Sequence, residues 1–203
     1  MSAISARIVD EVSADGLRVI RGGILLACVL AASPAVAQTT HVAGPFVHPA
    51  SGMVLPEHIG DFTRFRESRG GDSAASAAYG YAGSDGRISA TFIIFLPPDE
   101  PNFCKDYIAA GRQALRERRN VQALDPPDVP AMEGFPATAG VAARYDFGGG
   151  VSGPGLRSDQ YYYCNVAGKW VVQYDFAYPA DFDAGPEIAS FFHELKVTIS
   201  EAQ

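Results

Sequence analysis

Alternating hydrophobic side chains dominate the last third of the chain. Between positions 169 and 178, every second residue is aromatic or aliphatic: Trp170, Val172, Tyr174, Phe176 and Tyr178. This period of two predicts a β-strand with one apolar face on the core, because successive strand side chains point to opposite faces. Residues 160–166 form a second such segment, and the Asn-Val-Ala-Gly sequence between the two indicates a tight turn. We therefore predict an antiparallel pair here.

Similar patterns occur earlier in the chain. Tyrosines alternate with small residues at 79–81, and a Gly-Ser-Asp-Gly turn separates them from an apolar run at 87–96. Apolar side chains occupy both faces of that run, which predicts a central strand covered on both sides or one whose outer face meets a helix. Residues 137–147 also alternate, so a further strand is expected there.

Two segments have helical periodicity instead. Residues 103–120 place apolar side chains at helical spacing: Phe103, Tyr107, Ile108, Gly111 and Leu115. Near the C-terminus, after start signals at Asp183 and Pro186, the i, i+3, i+4 and i+7 positions are Ile188, Phe191, Phe192 and Leu195. Residues 197–199 either add a short final strand or pack down the tail. We expect one helix in each segment.

Segments without a period separate these elements. Residues 38–56 are rich in Pro, Gly and His and predict an extended leader, while the proline-rich residues 121–136 predict a surface loop. The glycines of 148–155 indicate a flexible connection. Strands, a helix, more strands and a closing helix predict an α+β fold. We expect a twisted antiparallel sheet covered by helices, in a single domain over residues 57–203.

The longest apolar run lies near the N-terminus and indicates export. Residues 22–32 follow two arginines and lead to an Ala-Val-Ala motif that ends at Ala37. A basic flank, an apolar core of about 7–15 residues and a small-x-small site are the parts of a secretory signal. A membrane-spanning helix needs about 20 apolar residues. We therefore predict a signal peptide at 1–37, cleaved before Gln38, and a periplasmic or secreted product without a transmembrane segment.

Two features leave alternatives to that prediction open. A Leu-Leu-Ala-Cys motif ends at Cys28 and matches the lipoprotein pattern, although only residues 22–27 would then form the apolar core. Upstream, the region that should be basic in a signal peptide contains three acidic residues, Asp10, Glu11 and Asp15. A lipidated envelope protein is thus one alternative, and translation that starts near residue 17 is another.

Length and composition limit the domain count and the possible partners of the mature protein. Cleavage leaves 166 of the 203 residues, which is enough for one domain with a single core. The mature chain keeps the formal net charge of −7. Nucleic-acid binding relies on clustered Lys and Arg, so the acidic balance argues against nucleic acid as a partner. Composition leaves the oligomeric state open.

The cysteine count predicts a disulfide. Removal of Cys28 with the signal leaves an even pair, Cys104 and Cys164, 60 positions apart. In an oxidising compartment such a pair is expected to form a disulfide. Closing a loop of that size stabilises a fold by about 4 kcal/mol in the chain-entropy model. A reactive thiol is the alternative, but no C-x-x-C motif or linked histidine supports it.

Few residues are candidates for chemistry. Tyr161 and Tyr163 lie in an aromatic triplet and, on an exposed face, would line a ligand groove with the 148–155 loop. Three histidines are spaced by seven and ten residues, which fits no standard metal site: His41, His48 and His58. We interpret them as solvated side chains and predict no metal, other cofactor or catalytic residue. The sequence leaves catalysis open and favours a protein that is not an enzyme.

The C-terminal segment resembles a known group. Lys-Trp-Val-Val-Gln-Tyr at 169–174 leads through Tyr-Pro-Ala-Asp-Phe-Asp at 178–183 to the Phe-Phe pair at 191–192. This resembles the end of the PsbP-like group, which includes photosystem II extrinsic subunits and many bacterial exported proteins. In that group a strand leads through a short acidic turn to a terminal helix. The resemblance implies an α-β-α sandwich and a binding or assembly role, and it assigns no site residues.

Three hypotheses for function follow. The first is an exported, non-enzymatic module that binds a protein or another envelope component through its sheet face or its proline-rich loop. The second is a small-ligand carrier or an enzyme whose cleft lies near residues 148–163 and is lined by Tyr161 and Tyr163. The third is an envelope protein lipidated at Cys28.

Overall fold

The computed structural model describes residues 43–83, 87–100, 102–118, 120–131, 140–149 and 155–195. Within these ranges the chain forms ten strands and two helices, and Thr39–Gln203 is one compact unit. In chain order the elements are β1 (Phe46–His48), β2 (Met53–Leu55), β3 (His58–Ile59), β4 (Phe62–Arg69), β5 (Ala74–Tyr81), β6 (Ser89–Phe95), α1 (Phe103–Arg116), β7 (Gln122–Leu124), β8 (Gly140–Asp146), β9 (Leu156–Val166), β10 (Trp170–Pro179) and α2 (Gly185–Glu194). The predicted signal peptide, Cys28 and residues 197–199 lie outside the described ranges.

Eight of the strands form one antiparallel sheet. Their order is β3-β4-β5-β6-β10-β9-β8-β7, so two meanders of four strands meet where β6 pairs with β10. Each meander is followed by one helix, α1 after β6 and α2 after β10. The predicted pair of strands is confirmed as β9 and β10, and Asn165 (φ 57°) and Gly168 (φ 77°) adopt the left-handed backbone that their tight turn requires.

The second helix lies against the centre of the sheet. Ile188, Phe191 and Phe192 are buried, as the helical spacing predicts. The Phe191 ring lies 5.1 Å from Phe176, and the Phe192 ring lies 5.1 Å from Tyr161, both edge to face. We call the sheet surface under this helix the α2 face. It carries most of the hydrophobic core.

The first helix lies on the opposite surface, which we call the α1 face. Only Ile108 is buried among its fourteen residues, and eight of them are exposed. The helix ends at Arg116, earlier than predicted, where the Arg118 N–H bonds the Leu115 carbonyl in a tighter turn.

The expectation that helices cover the sheet was overstated. On β5 and β6 burial alternates strictly, with the α2 face buried and the α1 face only half-buried. On β9 both faces are buried from Ser158 to Tyr163. One helix on each side therefore leaves part of the α1 face uncovered. The central position of β6, between β5 and β10, agrees with the prediction from its apolar run.

The N-terminal segment differs from the predicted extended leader. Strands β1 and β2 form an antiparallel hairpin whose buried side chains join the core: Phe46, Met53 and Leu55. The buried guanidinium of Arg64 donates to the Leu55 carbonyl (2.7 Å) and to the Gly44 carbonyl. Composition alone does not reveal this hairpin, because its strands have three residues each and its anchor lies in β4.

The proline-rich segment contains a strand as well as a loop. Residues 122–124 pair with β8 at the edge of the sheet, and residues 125–131 then cross the surface without regular structure, as predicted. The predicted strand at 137–147 is described from Gly140, where β8 begins, to Asp146. Residues 132–139 lie outside the described ranges.

Candidate functional site

Cys104 and Cys164 form the predicted disulfide. Cys104 lies in the first turn of α1 and Cys164 near the end of β9, with their Cα atoms 6.2 Å apart. Both residues are half-buried. The bond joins the first helix to the sheet.

The structure places Tyr161 and Tyr163 in the core rather than on a ligand surface. They are 3% and 0% exposed. The Tyr161 ring contacts Phe192, and the Tyr163 hydroxyl donates to the Pro130 carbonyl (2.9 Å). Burial raises the pKa of both phenols. Both side chains point to the α2 face, where packing accounts for them.

Two small clefts lie among the described residues. One of about 190 Å³ lies between the start of α2 and the ends of β4 and β5. Another of about 250 Å³ lies beside Asn120 and Gly148, near the loop named in the carrier hypothesis. Drug-sized ligands occupy clefts of about 300–1,000 Å³. Residues 150–154 of that loop lie outside the described ranges.

The three histidines have different environments. His41 lies outside the described ranges, and His58 is exposed beside Thr63. The expectation of a solvated side chain is wrong for His48, which is 1% exposed. Its Nδ1 is 2.8 Å from the Ser51 hydroxyl, and its ring meets Trp170 edge to face at 5.3 Å. His48 therefore stabilises the β1–β2 turn on the core. In the described ranges no three metal-binding side chains gather.

A polar cluster on the α1 face was missed in the sequence. It consists of two residues of β10 and three of β9: Gln173, Asp175, Ser158, Gln160 and Tyr162. The Ser158 hydroxyl donates to Asp175 Oδ1 (2.6 Å), and Gln160 Nε2 donates to Asp175 Oδ2 (3.3 Å). The Tyr162 hydroxyl donates to Gln160 Oε1 (2.7 Å). The sequence does contain a signal for this cluster. Polar residues occupy every second position of the two strands, although both strands were assigned to the core.

Asp175 is the member of this cluster that reaches the surface. Ser158, Gln160, Tyr162 and Gln173 are buried, whereas Asp175 is only partly buried. Burial raises the pKa of the Asp175 carboxyl, and the hydrogen bonds from Ser158 and Gln160 oppose that rise. Its carboxyl is thus a fixed hydrogen-bonding group at the margin of the covered surface.

Beyond Asp175 neither of the two described helices covers the α1 face, and its residues are mostly half-buried. We call this area the open face, and its residues lie on β4, β5 and β6: Phe65, Arg66, Ser76, Ala78, Gly80, Ser89, Thr91 and Ile93. Phe65 is 46% exposed and stands at a β-bulge between Arg64 and Arg66. The extra residue of a bulge re-aims a side chain. The open face therefore combines small and hydroxyl residues with one projecting aromatic ring.

The Asp175 carboxyl accepts hydrogen bonds from the Ser158 hydroxyl and from Gln160 Nε2, and neither bond involves a histidine. Three other aspartates lie away from this cluster. Asp183 accepts from the Gly185 N–H (3.2 Å) at the start of α2, and Asp125 and Asp128 lie in the proline-rich loop.

No helix of the described ranges is both long and apolar enough to span a bilayer.

Comparison with known proteins gives no family for the chain. No protein-family profile matches it, and no curated protein does. One solved structure is similar, that of PA94 from Pseudomonas aeruginosa, a protein of unknown function. The two chains share 15% identity over 60% of this chain and 85% of PA94, with a TM-score of 0.36. This likeness carries no argument about fold or function.

Proposed function

We propose that the mature chain is an exported, periplasmic protein that binds a protein or another envelope component through its open face, without catalysis. The signal-like residues 1–37 support export. The burial pattern of β5 and β6 carries the proposal of binding, because the same strands are buried on one face and half-exposed on the other. Exposed apolar side chains rimmed by polar groups are typical of interaction surfaces.

Asp175 and Phe65 supply the two kinds of contact that such a surface needs. Phe65 offers a projecting aromatic ring, and aromatic anchors contribute strongly to protein interfaces. Asp175 offers a carboxyl held by Ser158 and Gln160. A group that is already oriented loses less entropy on binding.

Site-specific crosslinking in the native envelope tests this function. A photoreactive amino acid at Ser76 lies on the open face, and the same group at Ser190 lies on the exposed side of α2 as a matched control. We expect a discrete adduct from Ser76 and none from Ser190. Equal adducts from both positions, or none from Ser76, would contradict the proposal. The mass of the isolated protein tests export, since it should begin at Gln38 and carry no acyl chains.

We also propose that the chain shares the architecture of the PsbP-like group. One helix on each side of an antiparallel sheet supports this, because the group is expected to form an α-β-α sandwich. An experimental structure of the chain tests the proposal by its strand order. A strand order unlike that of PsbP-like proteins would contradict it.

A further inference from the structure

The two helices are attached to the sheet in different ways. Helix α2 buries Ile188, Phe191 and Phe192, and the two phenylalanine rings meet core aromatic rings. Helix α1 buries Ile108 alone. Apolar burial holds most helices of a protein in place. That contribution is large for α2 and small for α1.

The disulfide is the strongest attachment of α1. Two hydrogen bonds add to it, from the Tyr107 hydroxyl to Gln173 Oε1 (3.2 Å) and from Arg112 Nη2 to the Ala142 carbonyl (2.7 Å). The rings of Phe103 and Tyr107 also meet Phe95 on the sheet. Tyr107 is itself 37% exposed. Hydrogen bonds that compete with water add little net stability. The covalent bond at Cys104 therefore determines whether the helix stays on the sheet.

We propose that α1 is a strap fastened by the Cys104–Cys164 disulfide, and that thiol–disulfide exchange at this bond releases it. The reductant is a dithiol. One of its thiolates attacks a sulfur of the disulfide, which breaks the bond, forms a mixed disulfide and frees the other cysteine. Its second thiol then displaces the remaining cysteine. The chain gains two electrons and two protons as two thiols, and the dithiol becomes a disulfide.

Release of the strap changes the surface beside the open face. Tyr107 contacts the rings of Phe95 and Tyr162 and bonds Gln173. Tyr162 is only 5% exposed while α1 is in place. Without the helix, these side chains extend the open face across β10 and β9. Control of binding by this change rests on the proposed function, whereas release of the strap does not.

Hydrogen exchange and hydroxyl-radical footprinting test the strap in the mature protein. With the disulfide intact, α1 amides should be protected; after a dithiol reduces it, their exchange should rise about tenfold or more. Exchange in α2 should remain at least about tenfold slower than in α1, because α2 keeps its buried attachment and opens only through the global unfolding that reduction makes easier. Labelling of Tyr162 should rise, while labelling of Tyr174, which is 1% exposed on the α2 face, should not. Mass spectrometry of the reduced protein should show the gain of two hydrogen atoms.

Two variants make the test independent of added reductant. Cys104→Ser with Cys164→Ser should show the released pattern without any dithiol. Ile108→Ala should keep α1 protected while the disulfide is intact, because the covalent bond still holds the helix. Unchanged α1 exchange after confirmed reduction would overturn the proposal, as would α1 exchange that is no faster than α2 exchange in the reduced protein. Should the double variant fail to fold, titration of the wild-type protein with dithiol decides between these outcomes.

Discussion

The replacement Phe191→Ala tests whether α2 holds the core together. Phe191 is 1% exposed, and five aromatic rings surround it at centroid distances between 5.0 and 6.2 Å: Phe62, Tyr79, Tyr174, Phe176 and Phe192. Truncation of a buried phenylalanine costs about 3–5 kcal/mol in unfolding free energy. Edge-to-face ring pairs add to simple burial. We expect a loss near the upper end of that range.

Phe65→Ala is the matched control, because it makes the same chemical change at a side chain that is 46% exposed. We expect a loss below about 1 kcal/mol there. Urea unfolding can be followed by the fluorescence of Trp170, the single tryptophan, which is buried. With a slope of about 2 kcal/mol per molar urea, Phe191→Ala should lower the midpoint by about 2 M. Losses that differ by less than about 1 kcal/mol between the two variants would refute the assignment of α2 as a core element.

Three further predictions follow from other contacts. Arg64→Met should leave the bonded carbonyls of the N-terminal hairpin without a donor, at about 1–3 kcal/mol for each, and limited proteolysis should then cut that hairpin faster than in Arg66→Met. Because burial raises the Asp175 pKa, its ionised form destabilises the folded state at neutral pH. Asp175→Asn should therefore gain stability relative to the wild type at about pH 7 and lose that gain below about pH 4, as urea unfolding at both pH values measures. Cys104→Ser with Cys164→Ser should lower the unfolding free energy by about 4 kcal/mol in the same assay, since the bond closes a separation of 60 residues. An unchanged cutting rate, a pH-independent difference or an unchanged midpoint would contradict the respective prediction.

The polar cluster shows why the candidate site was not found in the sequence. Gln160 and Asp175 lie in the two predicted strands, whereas Ser158 lies before the strand predicted at 160–166. Their hydrogen bonds depend on the register, which places Gln160 opposite Asp175. Register is set by pairing between strands, and a single-strand pattern does not contain it. The predicted tyrosine groove was misplaced for the same reason, because Tyr161 and Tyr163 share a face with the aromatic residues under α2.

Helix α1 shows a second limit of sequence patterns. Its apolar spacing correctly predicted a helix. The same spacing is typical of a helix with one buried face, but in the structure only Ile108 of this helix is buried. The hairpin of β1 and β2 shows the reverse case. It carries no periodic pattern, yet Arg64 and Trp170 bring Gly44 and His48 onto the core.

Apart from β4 and the short strands β1, β2, β3 and β7, the sequence by itself determined the strands, the two helices, the turn between β9 and β10 and the cysteine pair. These features depend on local periodicity, on turn chemistry or on a count, and neighbouring residues suffice to specify them. Only the tertiary structure decided which surface each helix occupies, how much of the sheet it covers and which polar groups meet. Those outcomes depend on contacts between segments far apart in the chain. Packing and pairing geometry specify such contacts, and no local pattern encodes them.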